Sequence, residues 1–452
     1  FIGTLPKSHR SRVRFCLVLR LSENLRLMIR SLTLFVALFV STLTMMVGAG
    51  LLGSLLGLRM NAEGFSASVI GVVLSGFYIG LVIGSFLCPT IVKRVGHIRA
   101  FAVFAALNTA ATLFYPLFIA PSFWFLGRLM SGLSMMGMYM VIESWLNDQT
   151  EAYMRGRVFS VYMTMSFIGL GVGQLFLKTG RVDGSDLFLV VGIFVVLSLV
   201  PVALTRSMSP TLPEIVSIKT SVLLRKAPMG LLGSLTVGMI AGAFYSLGPV
   251  YAKRIGLDLD MVAYYMSLTI FCGFLMQWPI GSLSDRVDRQ RVLAGIALMI
   301  SLACGLILLA SENSGWLIFA ATGFYGGMAL TLYPVAVAHT NDRMDPCEII
   351  PASSALLLSY GLGACIGPIA AASLMTRIGP NGLYVFIAVV ALIFGITVLI
   401  YRQFETPKKE ESVPYVPVPR TSPVITALHP HSEEEQDHQM VNESSAVDDQ
   451  PI

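Results

Sequence analysis

Five residues of the segment "GRLMSGLSMMGMYMVIESW" follow one another at helical steps. Arg128, Gly132, Met135, Tyr139 and Glu143 are spaced four, three, four and four apart, which puts them on one face of an α-helix. The surrounding residues are apolar enough for a membrane interior, where a charge costs ~2.5–3.5 kcal/mol on insertion scales. This face is therefore expected to point into protein or a water-filled cavity. Arg128 and Glu143 lie roughly 22 Å apart by the helical rise, too far for direct pairing. Each needs another partner: a solute, water, backbone, or a moving proton. A carboxyl held out of water can exchange a proton near neutral pH, which makes Glu143 the candidate proton carrier. The plainer alternative is a structural Glu near a helix end, paired with a loop arginine. Arg128 can hold an anionic solute or act on a proton site; its plainer alternative is an inward arginine bonded to backbone carbonyls.

Gln174, Tyr245, Tyr325 and Tyr333, with Tyr78, Tyr162, Gln277 and Tyr360, are candidates for a cavity wall, because their amides and hydroxyls seek partners in hydrocarbon. Aromatic packing explains any one of them equally well. His339 is expected at an interface. Gly169, Gly171 and Gly173 let one helix approach another closely.

The elements that must position these residues follow from hydropathy. The 452 residues are 55% hydrophobic and 13% charged, about half the charged share of a soluble domain. Twelve apolar stretches can each cross ~30 Å of hydrocarbon, roughly 31–57, 66–91, 98–119, 122–146, 157–178, 186–204, 229–252, 261–284, 292–311, 316–340, 350–375 and 381–401. The six cysteines form no CxxC pair and read as small apolar packing residues. Of 31 Lys and Arg, 24 lie in one alternate set of loops and chain ends and six in the other. The positive-inside rule then places both termini in the cytoplasm. The chain opens with a basic segment over residues 1–30, in which Met28 looks like a natural start. A linker is expected over 205–228, between six-span halves at 31–204 and 229–402. The tail, 403–452, rich in Pro and then acidic, reads as disordered; its His429, His431 and His438 read as solvated rather than metal-binding.

An internal offset of 192 residues relates the halves: Ser75 to Ser267, Arg94 to Arg286, Trp124 to Trp316, Gly169 to Gly361 and Gly171 to Gly363. "NDQTE" (147–151) and "NDRMD" (341–345) echo each other at 194. Paired halves that rock about a midplane site are the build of many secondary transporters. Between the eighth and ninth spans stands "GSLSDRVDRQR" (281–291). Its small Gly281 suits a tight turn, its arginines suit a cytoplasmic surface, and Asp285 can face a helix N-terminus.

This loop resembles the signature loop of the major facilitator superfamily. "PTIVKRVGHIR" (89–99) occupies its first-half place, with Pro89 for the opening Gly and Lys93 for the Asp. "GRLMSG" (127–132) resembles the family's fourth-helix Arg motif, and "RGR" (155–157) a common fifth-helix entry. "MQWPIG", "TLYPVAVA" and "ALLLSYGLGACIGP" are similar to the YcaD-like branch of bacterial transporters. Gln174 stands where antiporters of the family carry Pro. The resemblance implies an all-α integral membrane protein, with twelve transmembrane helices in two pseudo-symmetric six-helix halves. It also implies a cytoplasmic latch formed by Gly281, Asp285 and Arg286, with Arg94 and with Arg155 and Arg157 as partners.

The expected function is secondary transport of a small organic solute by alternating access, coupled to protons, in a bacterial inner membrane. A membrane receptor, a scaffold without transport, or a lipid flippase are the alternatives. The expected partners are the small-molecule substrate, protons and the lipid bilayer; no nucleic acid is expected, and the chain is expected to act as a monomer. No P-loop, metal-ligand cluster or nucleophile motif is present, so no cofactor, metal or enzymatic activity is expected.

Overall fold

A computed structural model describes residues 7–150, 154–205, 220–313, 315–404 and Thr421, with side chains from Phe35 onward save those of 220, 221, 312, 313, 346, 347 and 350. The readings for residues ahead of position 7, for 206–219 and for the tail beyond Phe404, Thr421 apart, lie outside the described residues.

The first half comprises α1 (Lys7–Ala62), α2 (Ala67–Val95), α3 (His97–Phe114), α4 (Pro121–Gln149), α5 (Arg155–Leu175) and α6 (Asp186–Ala203). The short α7 (Thr220–Lys226) precedes the second half. That half comprises α8 (Pro228–Arg254), α9 (Leu259–Arg286), α10 (Arg289–Asn313), α11 (Trp316–Ala329), α12 (Leu332–Asn341), α13 (Pro346–Ile378) and α14 (Gly382–Phe404). Among the described residues, twelve helical segments are long and apolar enough to cross a membrane, α11 and α12 together making the tenth. The interruption has a local cause. Pro334 has no N–H to give the Leu330 carbonyl, so the helix breaks there. The Thr331 hydroxyl instead bonds the carbonyls of Met328 at 2.8 Å and Gly327 at 3.2 Å.

The 192-residue offset extends to the backbone. Gly64 and Gly256, one offset apart, both turn with positive φ (80° and 99°), a conformation that favours glycine. Two residues later, Ser66 caps α2 through Val69 N at 3.3 Å and Asp258 caps α9 through Met261 N at 2.8 Å. The halves also repeat their close crossings. A Cβ at Gly173 would lie 2.3 Å from the Val47 carbonyl oxygen, which packs α5 on α1. One at Gly363 would lie 2.1 Å from the Leu235 carbonyl oxygen, which packs α13 on α8 in the same way.

The turn between α9 and α10 corrects one expectation. Gly281 is buried inside α9, and the chain turns at Val287 and Asp288. The smallness of Gly281 therefore serves packing rather than the turn. The backbone of the basic segment is helical from Lys7.

One end of the bundle carries the 95–97 and 286–289 loops, α7 and the end of α14; it is called here the basic end. Among the described residues, these side-chain bonds between the halves lie toward the opposite, far end: the Arg254 side chain donates to Asn61 Oδ1 at 2.8 Å, Ser68 bonds Thr376 at 2.8 Å and Lys178 donates to Tyr264 at 2.6 Å. Ser267 donates to the Gly171 carbonyl at 2.7 Å. A Cβ at Gly71 would lie 2.5 Å from the Pro368 carbonyl oxygen, so α2 and α13 touch through backbone. At mid-depth the rings of Phe167 and Phe274 stand 5.5 Å apart.

Candidate functional site

A cavity of about 220 Å³ lies between the halves, behind these far-end contacts. All six helices of the first half, α1 to α6, and α8, α9, α12 and α13 of the second contribute to its wall. Arg128, Met135 and Tyr139 of the α4 stripe line it, as do Gln174, Gln277, Tyr78, Tyr245 and Tyr360. The helical spacing in α4 thus turns its polar residues inward, as a charge in hydrocarbon requires.

Arg128 is 7% exposed, with its guanidinium over the Phe77 ring at 4.6 Å. Glu143 is fully buried, nearer the basic end. Its Oε1 accepts a hydrogen bond from the Tyr162 hydroxyl at 2.7 Å, and the Thr421 hydroxyl donates to the same oxygen. Thr421 also lines the cavity. The Tyr139 hydroxyl approaches Met46 Sδ at 3.7 Å. Gln174 ties α5 to α1: its Nε2 donates to the Gly50 carbonyl at 2.9 Å, and its Oε1 accepts from Ser54 at 2.5 Å.

Three candidates stand apart from the wall: Tyr162, which bonds Glu143, and Tyr325 and Tyr333. Tyr325 packs in an aromatic cluster, 5.2 Å from Phe244 and 5.6 Å from Tyr384. Tyr333 sits behind Tyr360, ring to ring at 5.5 Å. Asn108 and Ser131 line the cavity and were missed by the sequence reading. Asn108, a lone amide in an apolar run, was a visible signal; Ser131 lay unremarked within "GRLMSG". Thr421 carried no signal, because nothing local marks one tail residue as inward.

At the basic end, Asp285 and Arg286 are exposed at the end of α9, and Arg94 is exposed at the end of α2. Arg155 is half-buried and Arg157 exposed at the start of α5. Arg289 is buried; it meets Asp285 at 3.1 Å and Asp342 at 3.0 Å. Arg402 meets Asp288 at 3.1 Å. These pairs bind α9, α10, α12 and α14 into one unit. His339 is buried in the last turn of α12, and its ring nitrogen Nδ1 lies 2.8 Å from Arg343.

The family model described as Major Facilitator Superfamily matches residues 38–311 and 259–429. The chain belongs to the Major Facilitator Superfamily. It is 28% identical over 369 residues to the uncharacterized MFS-type transporter YcaD of Escherichia coli (strain K12 / DH10B), covering 81% of this chain and 95% of that relative. The nucleoside transporter NupG shares the fold at a TM-score of 0.71 and 12% identity, over 83% of this chain and 100% of that one. A D-xylose-proton symporter does so at 0.62 and 14%, over 82% of this chain and 97% of that one. This superfamily member is a multi-pass membrane transporter, and its cavity lies where the two halves of such a fold meet.

Proposed function

We propose that the protein is a proton-coupled secondary transporter of a small organic solute, working by alternating access as a monomer in a bacterial inner membrane. The observation that carries this reading is the buried carboxylate of Glu143 beside an inter-half cavity closed at its far end. A carrier carboxylate must be reachable from one side at a time, and the inter-half bonds at the far end supply that asymmetry. The excess of Lys and Arg assigns the basic end to the cytoplasm. The conformation is then cytoplasm-facing, with both chain ends cytoplasmic. The cavity volume lies below the ~300–1,000 Å³ of drug-sized sites, which favours a small solute.

Glu143 takes a proton in one conformation and releases it in the other, and the Tyr162 hydroxyl holds the carboxylate when charged. Tyr139, Tyr245 and Gln174 contribute polar contacts to solute or frame, while Tyr325 and Tyr333 support the wall from behind. When the far end opens, the 281–291 loop closes on the start of α5. In that latch Asp285, beside Arg286, faces Arg155 and Arg157, Arg94 stands at the corresponding first-half place, and Gly281 packs the helix behind.

The test uses liposomes and a solute found by thermal shift, since a binder raises apparent stability by mass action. Glu143→Gln keeps the shape and fixes the neutral form. Accumulation driven by a pH gradient is expected to vanish, while exchange of labelled for unlabelled solute persists. Wild-type accumulation with wild-type pH dependence in Glu143→Gln would move the coupling site elsewhere. A wild-type protein that binds solute but never moves it would point to a receptor.

A further inference from the structure

The charge inventory of the cavity is lopsided. Among the described residues, Arg128 is the one of permanent charge on its wall, and no described Asp or Glu lines it. Glu143, on the same helix, stands roughly 22 Å along the axis. A guanidinium stays protonated under all ordinary conditions, so the wall carries a fixed positive charge. Its position is 93% shielded from solvent, given 7% exposure. The stacking on Phe77 compensates the charge only in part.

Hydrogen-bonding capacity is left over at the same place. Arg128 Nε, Ser131 Oγ and Asn108 Oδ1 are buried without a hydrogen-bond partner. All three residues line the cavity. Buried polar atoms in folded proteins are nearly always paired, so the orphaned donors Arg128 Nε and Ser131 Oγ on one wall mark a place built for an acceptor from outside the chain. The guanidinium fork matches a carboxylate, which can accept two parallel N–H bonds. Ser131 can add a hydroxyl donor, while the Asn108 amide adds a donor to a carboxylate only when turned to present its nitrogen in place of Oδ1. Around this polar point the wall is apolar: Met46, Leu52, Phe77, Leu81, Met135 and Leu170.

We propose that the cavity binds a small monocarboxylate with an apolar or aromatic body, its carboxylate held by Arg128. One fixed positive charge matches one negative charge. A dianion would leave a charge uncompensated among the apolar side chains, and a cation would be repelled. The proposal deepens the transport reading by naming the substrate class, and it rests on that reading only for what happens after binding. The uncompensated guanidinium destabilises the free cavity, and the carboxylate relieves it.

The experiment is equilibrium binding to the purified full-length protein in detergent, which involves neither transport nor a proton gradient. The probes are benzoate, benzamide and benzylamine, which share a ring and differ in charge, with hexanoate as the aliphatic counterpart. The wild type is expected to bind benzoate or hexanoate, and to bind benzamide and benzylamine at least about tenfold more weakly. Arg128→Met is expected to lose that preference while its melting temperature without ligand stays at or above that of the wild type. Arg128→Lys keeps the charge without the fork, and should keep the preference at reduced affinity. The proposal is overturned if neither carboxylate binds the wild type, if the amide or the amine binds as well, or if Arg128→Met keeps the discrimination. Wild-type discrimination needs no variant, so a misfolded Arg128→Met leaves the proposal open to refutation. Carboxylate binding without any transport would overturn the transport reading alone.

Discussion

Gly71→Ala should shift the protein toward a conformation open at the far end. A methyl at this position would lie 2.4 Å from Ala372 Cβ and 2.5 Å from the Pro368 carbonyl oxygen. Carbon atoms rest at ~3.5–4.0 Å, so the overlap exceeds an ångström. Neither obstacle can swing aside, since one is backbone and the other is a methyl fixed on its helix. α2 and α13 must separate, at a cost of ~1–3 kcal/mol for overpacking. Alanine's better helix propensity does not alter this shift, because α2 is helical in either conformation. The ratio of far-end-open to far-end-closed molecules should rise roughly five- to 150-fold. Spin labels on cysteines at Ala62 and Ile378, both exposed at the far end, would report it in a background without the native cysteines. A longer-distance population is expected in Gly71→Ala. An unchanged distance distribution in a folded variant would refute the role given to this contact.

Asp285→Asn should shift the opposite equilibrium, favouring the cytoplasm-facing form by ~1 kcal/mol, about fivefold, as the loss of one exposed charge contact allows. The same labels would show the far-end-closed population rising; no change would reduce the loop to a surface anchor. Lys226 donates to Asp345 at 2.8 Å and Glu348 at 2.5 Å, tying α7 to the start of α13. Hydrogen bonding from Lys226 lowers the Asp345 carboxyl, and hydrogen bonding to Asp345 and Glu348 raises the Lys226 ammonium. The carboxylate's contribution is present above the ordinary carboxylate range and lost as pH falls through the depressed value. The ammonium's contribution is present below the ordinary lysine range and lost as pH rises through the raised value. The melting difference between wild type and Lys226→Met should therefore stay flat between about pH 5 and pH 9 and shrink in stronger acid. A difference that instead grows on acidification contradicts the bridge. Finally, a single cysteine at Thr421 should react with a soluble maleimide more slowly than one at Phe404, which is 84% exposed. Equal rates would take Thr421 out of the cavity.

Much of the architecture was legible in the sequence, because the bilayer makes a local demand. Each span must satisfy its own backbone and present some twenty apolar residues, so a single stretch of chain reveals it. The inward face of α4 was legible for the same reason: Arg128, Tyr139 and Glu143 share a helical period, and charge in hydrocarbon is costly. The 192-residue offset that relates the halves also separates the paired turns at Gly64 and Gly256. What the sequence left open was which polar residues meet. Tyr245 and Tyr325 look alike in their apolar runs, yet one lines the cavity and the other packs on Phe244 and Tyr384. Arg289 reads as one more anchor in a basic loop, but it is buried between Asp285 and an Asp342 supplied by another helix. Gly281 reads as a turn residue and lies inside α9. The contact of Thr421 with Glu143 joins residues 278 positions apart. Hydropathy and helical period act along a single helix, so they settle depth and face. Which neighbour occupies that face depends on how twelve helices pack, and only the tertiary structure decides it.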